Sequence, residues 1–445
     1  MSNVWSVKMG RSLFGAVSLS MLVACGGGST GPGGSPAGPK AHTDGGEVIK
    51  TASGRAVTQE AHDKWSDALA AYDKAAQAGW NSGSCSSVSD DFLDAAKAQG
   101  NKFAEAFFMA GVALERCDKH DDALKLYNRA LESNPKYCSA RSAVGLDQLK
   151  KGNASGAAQT FQRAISDDNQ CTEAYVNLAI IQRSQGGAQV EEALKNLRRA
   201  LAVDSNYLPA YNQMALLYLE QAKGGKQESI DLAQVVCRQA QIIDPKYAPI
   251  FNTWGLISMY LGNVIEALRF FEQAAKLDPS MFEAHMNFGA VTHSFRGYED
   301  AHRSFAKAVD LRPKDYDAHI GLGASLRGLG KAAEAKAEYE KAVAIDASRP
   351  EAYFNLGVLY QDYMEGNVAD LKTAKGYFGQ FVSRAGSSAA VKPQLSEVQR
   401  RCDAASAKKK RRSSKDCRPG RLQNIDNAVD ALTAAAAMQS KSGGN

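Results

Sequence analysis

Beyond a short run near its start, the sequence has no apolar stretch approaching the roughly 20 residues a helix needs to cross a bilayer, which excludes further membrane-spanning helices. It has no two cysteines at C-x-x-C spacing, so cysteine-ligated zinc and thioredoxin-type redox motifs are excluded. It has no H-E-x-x-H pair. The stretches "GASLRGLGKA" near Gly330 and "AKGGKQ" near Lys226 imitate a phosphate loop, but neither has the G-x4-G-K-[ST] spacing or follows a strand. No room is left for a second compact domain built around a catalytic carboxylate. The expectation is a protein that is not an enzyme and uses no cofactor and no metal. Acidic and basic residues nearly balance over the 445-residue chain, at a net charge of +5. Between Arg400 and Arg421, however, ten Lys or Arg stand against Asp403 and Asp416, a local +8, which leaves the rest of the chain at −3. One short segment is basic and the body is mildly acidic.

Near the start, Lys8 and Arg11 precede an apolar run from Leu13 to Ala24 that is too short for a span and right for an export signal. It ends in Leu22-Val23-Ala24-Cys25, which resembles the lipobox of bacterial lipoproteins. That resemblance implies removal of residues 1–24 and acylation of Cys25, and more than one acyl chain anchors firmly. Gly26 is compatible with transfer to the outer membrane, giving a lipid-anchored protein on the periplasmic side. Residues 26–46 are crowded with Gly, Pro and Ser, so residues 25–57 read as the lipidated cysteine and a flexible tether. The twenty-odd residues of the Gly/Pro/Ser stretch reach about 25 Å.

Helical patterns follow at Thr58 to Gly79 and Ser89 to Gln99, with the Gly/Ser-rich "WNSGSCSS" read as the loop between them. The chain then repeats itself. Pro245, Pro279 and Pro313 fall 34 residues apart. Small residues recur at Gly111, Gly145, Ala179, Ala215, Gly255, Gly289, Gly323 and Gly357, and others at Ala123, Ala157, Ala193, Ala233, Ala267, Ala301, Ala335 and Ala374. Four residues after the second set come Tyr127, Phe161, Leu197, Cys237, Phe271, Phe305, Tyr339 and Phe378. These landmarks resemble the tetratricopeptide repeat (TPR). The resemblance implies an all-α solenoid, a right-handed superhelix of about eight helix-turn-helix repeats over residues 104–384. Residues 58–103 are expected to cap its start. Residues 385–445 hold a polar helix from Val391 to Cys402, the basic segment, and a weak final helix from Ile425 to Met438. Insertions lengthen the turns of the third, fourth and eighth repeats, in "GGAQ", "AKGGKQ" and "EGNVAD".

The resemblance also implies a concave wall made by the first helix of each repeat. Two residues before its small residue stand Asn177, Gln213, Asn287 and Asn355; a carboxamide donates and accepts, and so can hold a peptide backbone. Met109, Ala143, Thr253 and Gly321 interrupt this ladder. Phe108, Val112 and Arg116 are expected to face the same trough. His285 and His319 lie one repeat apart, where the family carries a large aromatic, and read as packed side chains rather than metal ligands. The basic segment, with Lys408, Lys409, Lys410, Arg411 and Arg412, reads as a solvated tail; export leaves it acidic proteins, anionic head groups or wall polymers, and no nucleic acid.

An oxidising compartment permits disulfides. Cys85 with Cys117, and Cys402 with Cys417, are the expected pairs; Cys138 and Cys171 are expected too far apart, and Cys237 buried and free. The order of lipobox, tether and long array is similar to the TPR lipoproteins of myxobacterial adventurous gliding motility. That similarity implies a scaffold for other envelope proteins. A pilotin-like lipoprotein that assists secretin or pilus assembly, and a non-catalytic subunit of a wall-remodelling complex, are the alternatives.

Overall fold

The computed structural model describes residues 49–50, 55–386, 391–400 and 420–442. Cys25, Cys402, Cys417 and the run Lys408 to Arg412 lie outside the described residues. The chain divides into two compact units, one ending at Asn263 and one beginning at Val264.

The first unit opens with a two-stranded hairpin, β1 (Ile49–Lys50) and β2 (Ala56–Val57), paired Ile49 to Val57. Its helices are α1 (Gln59–Ala78), α2 (Ser82–Ala98), α3 (Ala104–Glu115), α4 (His120–Ser133), α5 (Cys138–Lys150) and α6 (Ala154–Asp167). They continue with α7 (Thr172–Gln185), α8 (Gln189–Val203), α9 (Leu208–Lys223), α10 (Ser229–Ile243) and α11 (Ala248–Tyr260). The second unit holds α12 (Val264–Leu277), α13 (Phe282–Ser294), α14 (Tyr298–Leu311), α15 (Tyr316–Gly328), α16 (Ala332–Ile345), α17 (Glu351–Asp362), α18 (Val368–Ala385), α19 (Lys392–Gln399) and α20 (Arg421–Ser442). From α3 to α18 the helices alternate as the first (A) and second (B) members of eight repeats.

The two helix types differ because of where they sit. Every residue of α3 from Ala104 to Ala113 is buried, so this A helix is covered on all sides. Its partner α4 buries only Ala123, Leu126, Tyr127 and Ala130, a single stripe at helical spacing, and turns its other face to water. The small residue of the A helix sets how closely the two approach. A Cβ added at Gly111, Gly145, Gly323 or Gly357 would stand 2.6 Å from Tyr127, Phe161, Tyr339 or Phe378 of the same repeat. Gly289 is looser, at 3.1 Å from Phe305, because that ring also leans on Gly321 of the next repeat. The gap that Gly321 makes in the amide ladder is the space Phe305 occupies. Gly323→Leu is therefore expected to overpack the seventh repeat and cost about 1–3 kcal/mol, read as a lower urea midpoint, with Gly289→Ala milder.

Between repeats the turns share one chemistry. Asn134, Asp168, Asp204, Asp244, Asp278 and Asp346 each end a B helix, and the Oδ1 of each accepts from the backbone N–H two residues on, at 2.8–3.3 Å. Their own N–H groups donate to the carbonyls of Ala130, Ala164, Ala200, Ala240, Ala274 and Ala342, closing each helix. This is an Asx turn repeated along the chain.

Three expectations need correcting. The stretch around Cys85 is helical, since α2 begins at Ser82. Asn81 caps it by accepting from the N–H groups of Gly83 and Ser84, and Ser84 Oγ accepts from Asn81 N–H in return, so the Gly/Ser-rich run is a capping box. The expected tether also ends early. Thr58 N–H donates to Gln99 Oε1 at 2.8 Å and Gln99 Nε2 to Ala56 O at 2.9 Å, while Arg55 reaches Ser133 O at 2.7 Å. Finally, the terminal helix begins four residues before Ile425, at Arg421. It packs on α18 and α19 and buries Ile425.

Candidate binding surface

Within each unit successive A helices pack on one another, α5 on α7, α7 on α9 and α9 on α11, then α13 on α15 and α15 on α17. Each B helix reaches the next repeat through its A helix. The A helices are the inner layer of each unit and the B helices the outer.

The residues expected to line the trough are mostly inside this layer rather than on it. Phe108, Val112, Asn177, Gln213 and Asn355 are all buried, while Asn287 and Arg116 are half-buried. The reason is that the A helices lie close enough for these side chains to be spent on one another. Phe108 packs edge-on to Tyr137 and at 5.5 Å from the Tyr127 ring. Arg116 donates from Nε and Nη2 to Tyr72 Oη at 3.1 and 2.8 Å, tying the first repeat to α1. Asn355 Oδ1 accepts from Arg327 Nη1 at 3.2 Å, and its Nδ2 donates to Glu351 O at 2.9 Å.

The first unit has polar contacts of the same kind between its own A helices. Thr253 Oγ1 donates to Asn212 Oδ1 at 2.6 Å. Arg183 Nη1 meets Glu220 Oε1 at 3.1 Å, where burial pushes the Glu220 carboxyl pKa up against the pull of the guanidinium. Polar groups withdrawn from water are costly unless paired, so these side chains set how neighbouring A helices register. Asn355→Ala is expected to destabilise the second unit by about 1.5–3 kcal/mol, because it strips a hydrogen bond from a buried guanidinium; chemical denaturation measures it.

His285 and His319 are packed as expected. The Nε2 of each bonds the carbonyl of the turn proline six residues earlier, Pro279 at 3.1 Å and Pro313 at 3.0 Å. Tyr211 and Tyr353 hydroxyls do the same to Ser205 and Ala347, so histidine stands in for the usual aromatic. His319 Nδ1 also meets Glu338 at 2.6 Å. Cys138, Cys171 and Glu173 have ligand atoms close enough to share an ion, but both sulfurs are consumed in a disulfide.

Two disulfides join neighbouring layers of the first unit. Cys85 in the first turn of α2 is bridged to Cys117 just after α3, at a Cα separation of 6.3 Å. Cys138 and Cys171 are bridged too, at 5.6 Å, which corrects the expectation that they lie too far apart. Cys138 is the first residue of α5 while Cys171 sits one place before α7. The two A helices pack directly, and at their starts the backbones approach more closely than one full repeat translation. Cys237 is buried and free, and burial pushes its thiol pKa up.

Comparison with known proteins agrees with this architecture. Family descriptions match at residues 323–362 ("TPR repeat") and 104–137 ("Tetratricopeptide repeat"). The solved APC/C hetero-tetramer Cut9-Hcn1 superposes with a TM-score of 0.51 at 14% identity, over 67% of this chain and 55% of that one. Pseudomonas aeruginosa pilF is similar at 19% identity and a TM-score of 0.42, over 52% of this chain and 98% of that one. A curated relative from Hordeum vulgare, a probable UDP-N-acetylglucosamine–peptide N-acetylglucosaminyltransferase, SPINDLY, is 29% identical over 121 residues. That match covers 26% of this chain and only 13% of that protein. The two matched segments are tetratricopeptide repeats, and the fold is a TPR solenoid.

Proposed function

We propose that the chain is a non-catalytic scaffold, exported and held by acyl chains on Cys25 at the periplasmic side of the outer membrane, where it organises other envelope proteins of a motility machine. The observation that carries this reading is the pair of disulfides, Cys85–Cys117 and Cys138–Cys171. Such bonds persist in an oxidising compartment, which agrees with the export signal and lipobox that precede the fold. Scaffolding suits the architecture, because a repeat array is a long surface with little internal cavity.

Cys25→Ser is expected to release the protein from the membrane fraction into the soluble periplasm. Retention on the membrane would remove the anchor. Deleting the gene is expected to abolish single-cell gliding with pili intact; loss of secretin assembly would instead favour a pilotin-like role.

A further inference from the structure

We infer that Cys138, Cys171 and Glu173 bind a zinc ion when the two cysteines are thiols, so that one cluster alternates between a covalent bridge and a metal centre. This goes beyond the scaffold reading and does not depend on it, since the bridge is the oxidised state of the same pair. It also departs from the expectation, drawn from cysteine spacing alone, of a chain without metal.

The repeats supply an internal comparison. The place six residues before the small residue of the A helix holds an acid in five of the eight: Glu105, Glu173, Glu283, Asp317 and Glu351. In the last three repeats that acid meets an arginine. Glu283 Oε1 lies 2.9 Å from Arg312 Nη2, Asp317 Oδ1 2.7 Å from Arg349 Nη2, and Glu351 Oε2 3.4 Å from Arg349 Nε. Glu173 forms no ion pair among the described residues. Its Oε2 stands instead 3.1 Å from Cys138 Sγ, with Thr172 Oγ1 at 3.4 Å, and its Oε1 accepts from Ser139 Oγ at 3.3 Å. A half-buried carboxylate turned toward two sulfurs calls for a positive partner. The Cys85–Cys117 bridge has no such third donor among the described residues.

Geometry and ligand chemistry select the ion. The ligand atoms of the three residues lie within 4.8 Å of one another. Zinc takes sulfur at about 2.3 Å and carboxylate oxygen at about 2.1 Å, which sets neighbouring ligand atoms of a tetrahedron about 3.5–3.8 Å apart. With the Cα atoms of the cysteines 5.6 Å apart, side-chain rotation brings the freed sulfurs to that spacing. Cys138 opens α5 and Cys171 is the N-cap of α7, and helix N-termini favour the thiolate, the form that binds metal. Two soft thiolates select zinc over magnesium or calcium. Cys171 is buried while Cys138 and Glu173 are half-buried, so water reaches one side of the site and supplies the fourth ligand. Ser139 steadies the carboxylate through its other oxygen, as outer partners of metal ligands do. The chemistry balances. A phosphine breaks the S–S bond, leaves two thiols, and takes oxygen from water as it becomes the phosphine oxide. Zinc then forms two Zn–S bonds and one Zn–O bond as two protons pass to buffer. A disulfide oxidant reverses this by taking two electrons from the thiolates, which re-forms the bridge and frees the zinc. A chain carries thiols from synthesis until it is oxidised, so the metal-binding state precedes the bridged one.

The test uses the full chain, reduced with tris(2-carboxyethyl)phosphine, cleared of it, and equilibrated with zinc chloride without oxygen. Atomic emission measures the zinc retained after gel filtration. Reduced wild type is expected to hold one zinc more than reduced C138S/C171S, and the oxidised chains to show no such difference. C85A/C117A is expected to bind as wild type does. Glu173→Gln keeps both cysteines and, when oxidised, the melting temperature of wild type; reduced, it is expected to bind zinc about tenfold or more weakly. Cobalt chloride in place of zinc is expected to give the thiolate-to-cobalt absorption of a tetrahedral site, absent from C138S/C171S. Equal zinc in reduced wild type and C138S/C171S, or undiminished affinity in Glu173→Gln, would overturn the proposal and leave the scaffold reading untouched.

Discussion

Removing the Cys138–Cys171 bridge, as C138A/C171A, is expected to lower the stability of the second and third repeats by about 3–4 kcal/mol. The bridge closes a loop with a sequence separation of 33, and in the chain-entropy model a loop of that length constrains the unfolded chain by about 3.7 kcal/mol. Cys85–Cys117, at a separation of 32, has the same expectation. The bridges join α2 to the end of α3 and α5 to the start of α7, leaving the junction of the first and second repeats without one. A repeat array need not melt as one unit, so the loss should be local. Hydrogen exchange with and without reductant reads it directly. Protection is expected to fall in α1 to α8 and to hold in α9 and α10. Unchanged protection after verified reduction would show that packing alone fixes these layers.

Much of this was legible as periodicity. The paired small residues and the aromatic four places later are consequences of close helix approach, and a contact repeated at each layer leaves the same residue at the same place. Gly323 against Tyr339 is such a pair. The Asx turns are equally legible, as Asp or Asn at the end of most B helices. Other features were not in the sequence at all. The amide places look alike whether they face solvent or a neighbour; only the spacing of α15 and α17 decides that Asn355 is spent on Arg327. The bridge between Cys138 and Cys171 depends on how two helix starts converge, which no one-dimensional period encodes. The Gly/Ser run before α2 misled because Asn81 and Ser84 satisfy the helix start by side chain, which composition does not show.

Arg421→Ala is expected to loosen the C-terminal cap, at a cost of about 1.5–3 kcal/mol, the range for hydrogen bonds to charged groups. Arg421 begins α20 and gathers three other elements. Its Nε donates to Glu397 Oε1 of α19 at 2.6 Å, and its Nη1 to Gln361 Oε1 and Asp362 Oδ2 at the end of α17, each at 2.8 Å. Its guanidinium lies 5.8 Å from the Phe378 ring of α18. The Arg421 side chain is 21% exposed and that of Glu397 23%, so alanine would leave the Glu397 carboxylate, more than Asp362, without its partner. Arg421→Lys is expected to recover only part of the loss, because an ammonium cannot match two acceptors with a planar fork. The neighbouring residue offers an independent route to the same outcome. Gly420 N–H donates to Arg400 O at 2.8 Å, and a Cβ on Gly420 would come within 2.7 Å of backbone atoms of Glu397 and Arg400. No rotamer relieves a clash with main chain, so Gly420→Ala should loosen α20 as well. Limited proteolysis reads both variants: cleavage within α20 is expected to accelerate sharply while α13 to α16 stay protected. Equal cleavage rates in wild type and both variants would mean that Ile425 and its apolar neighbours hold the cap without the guanidinium.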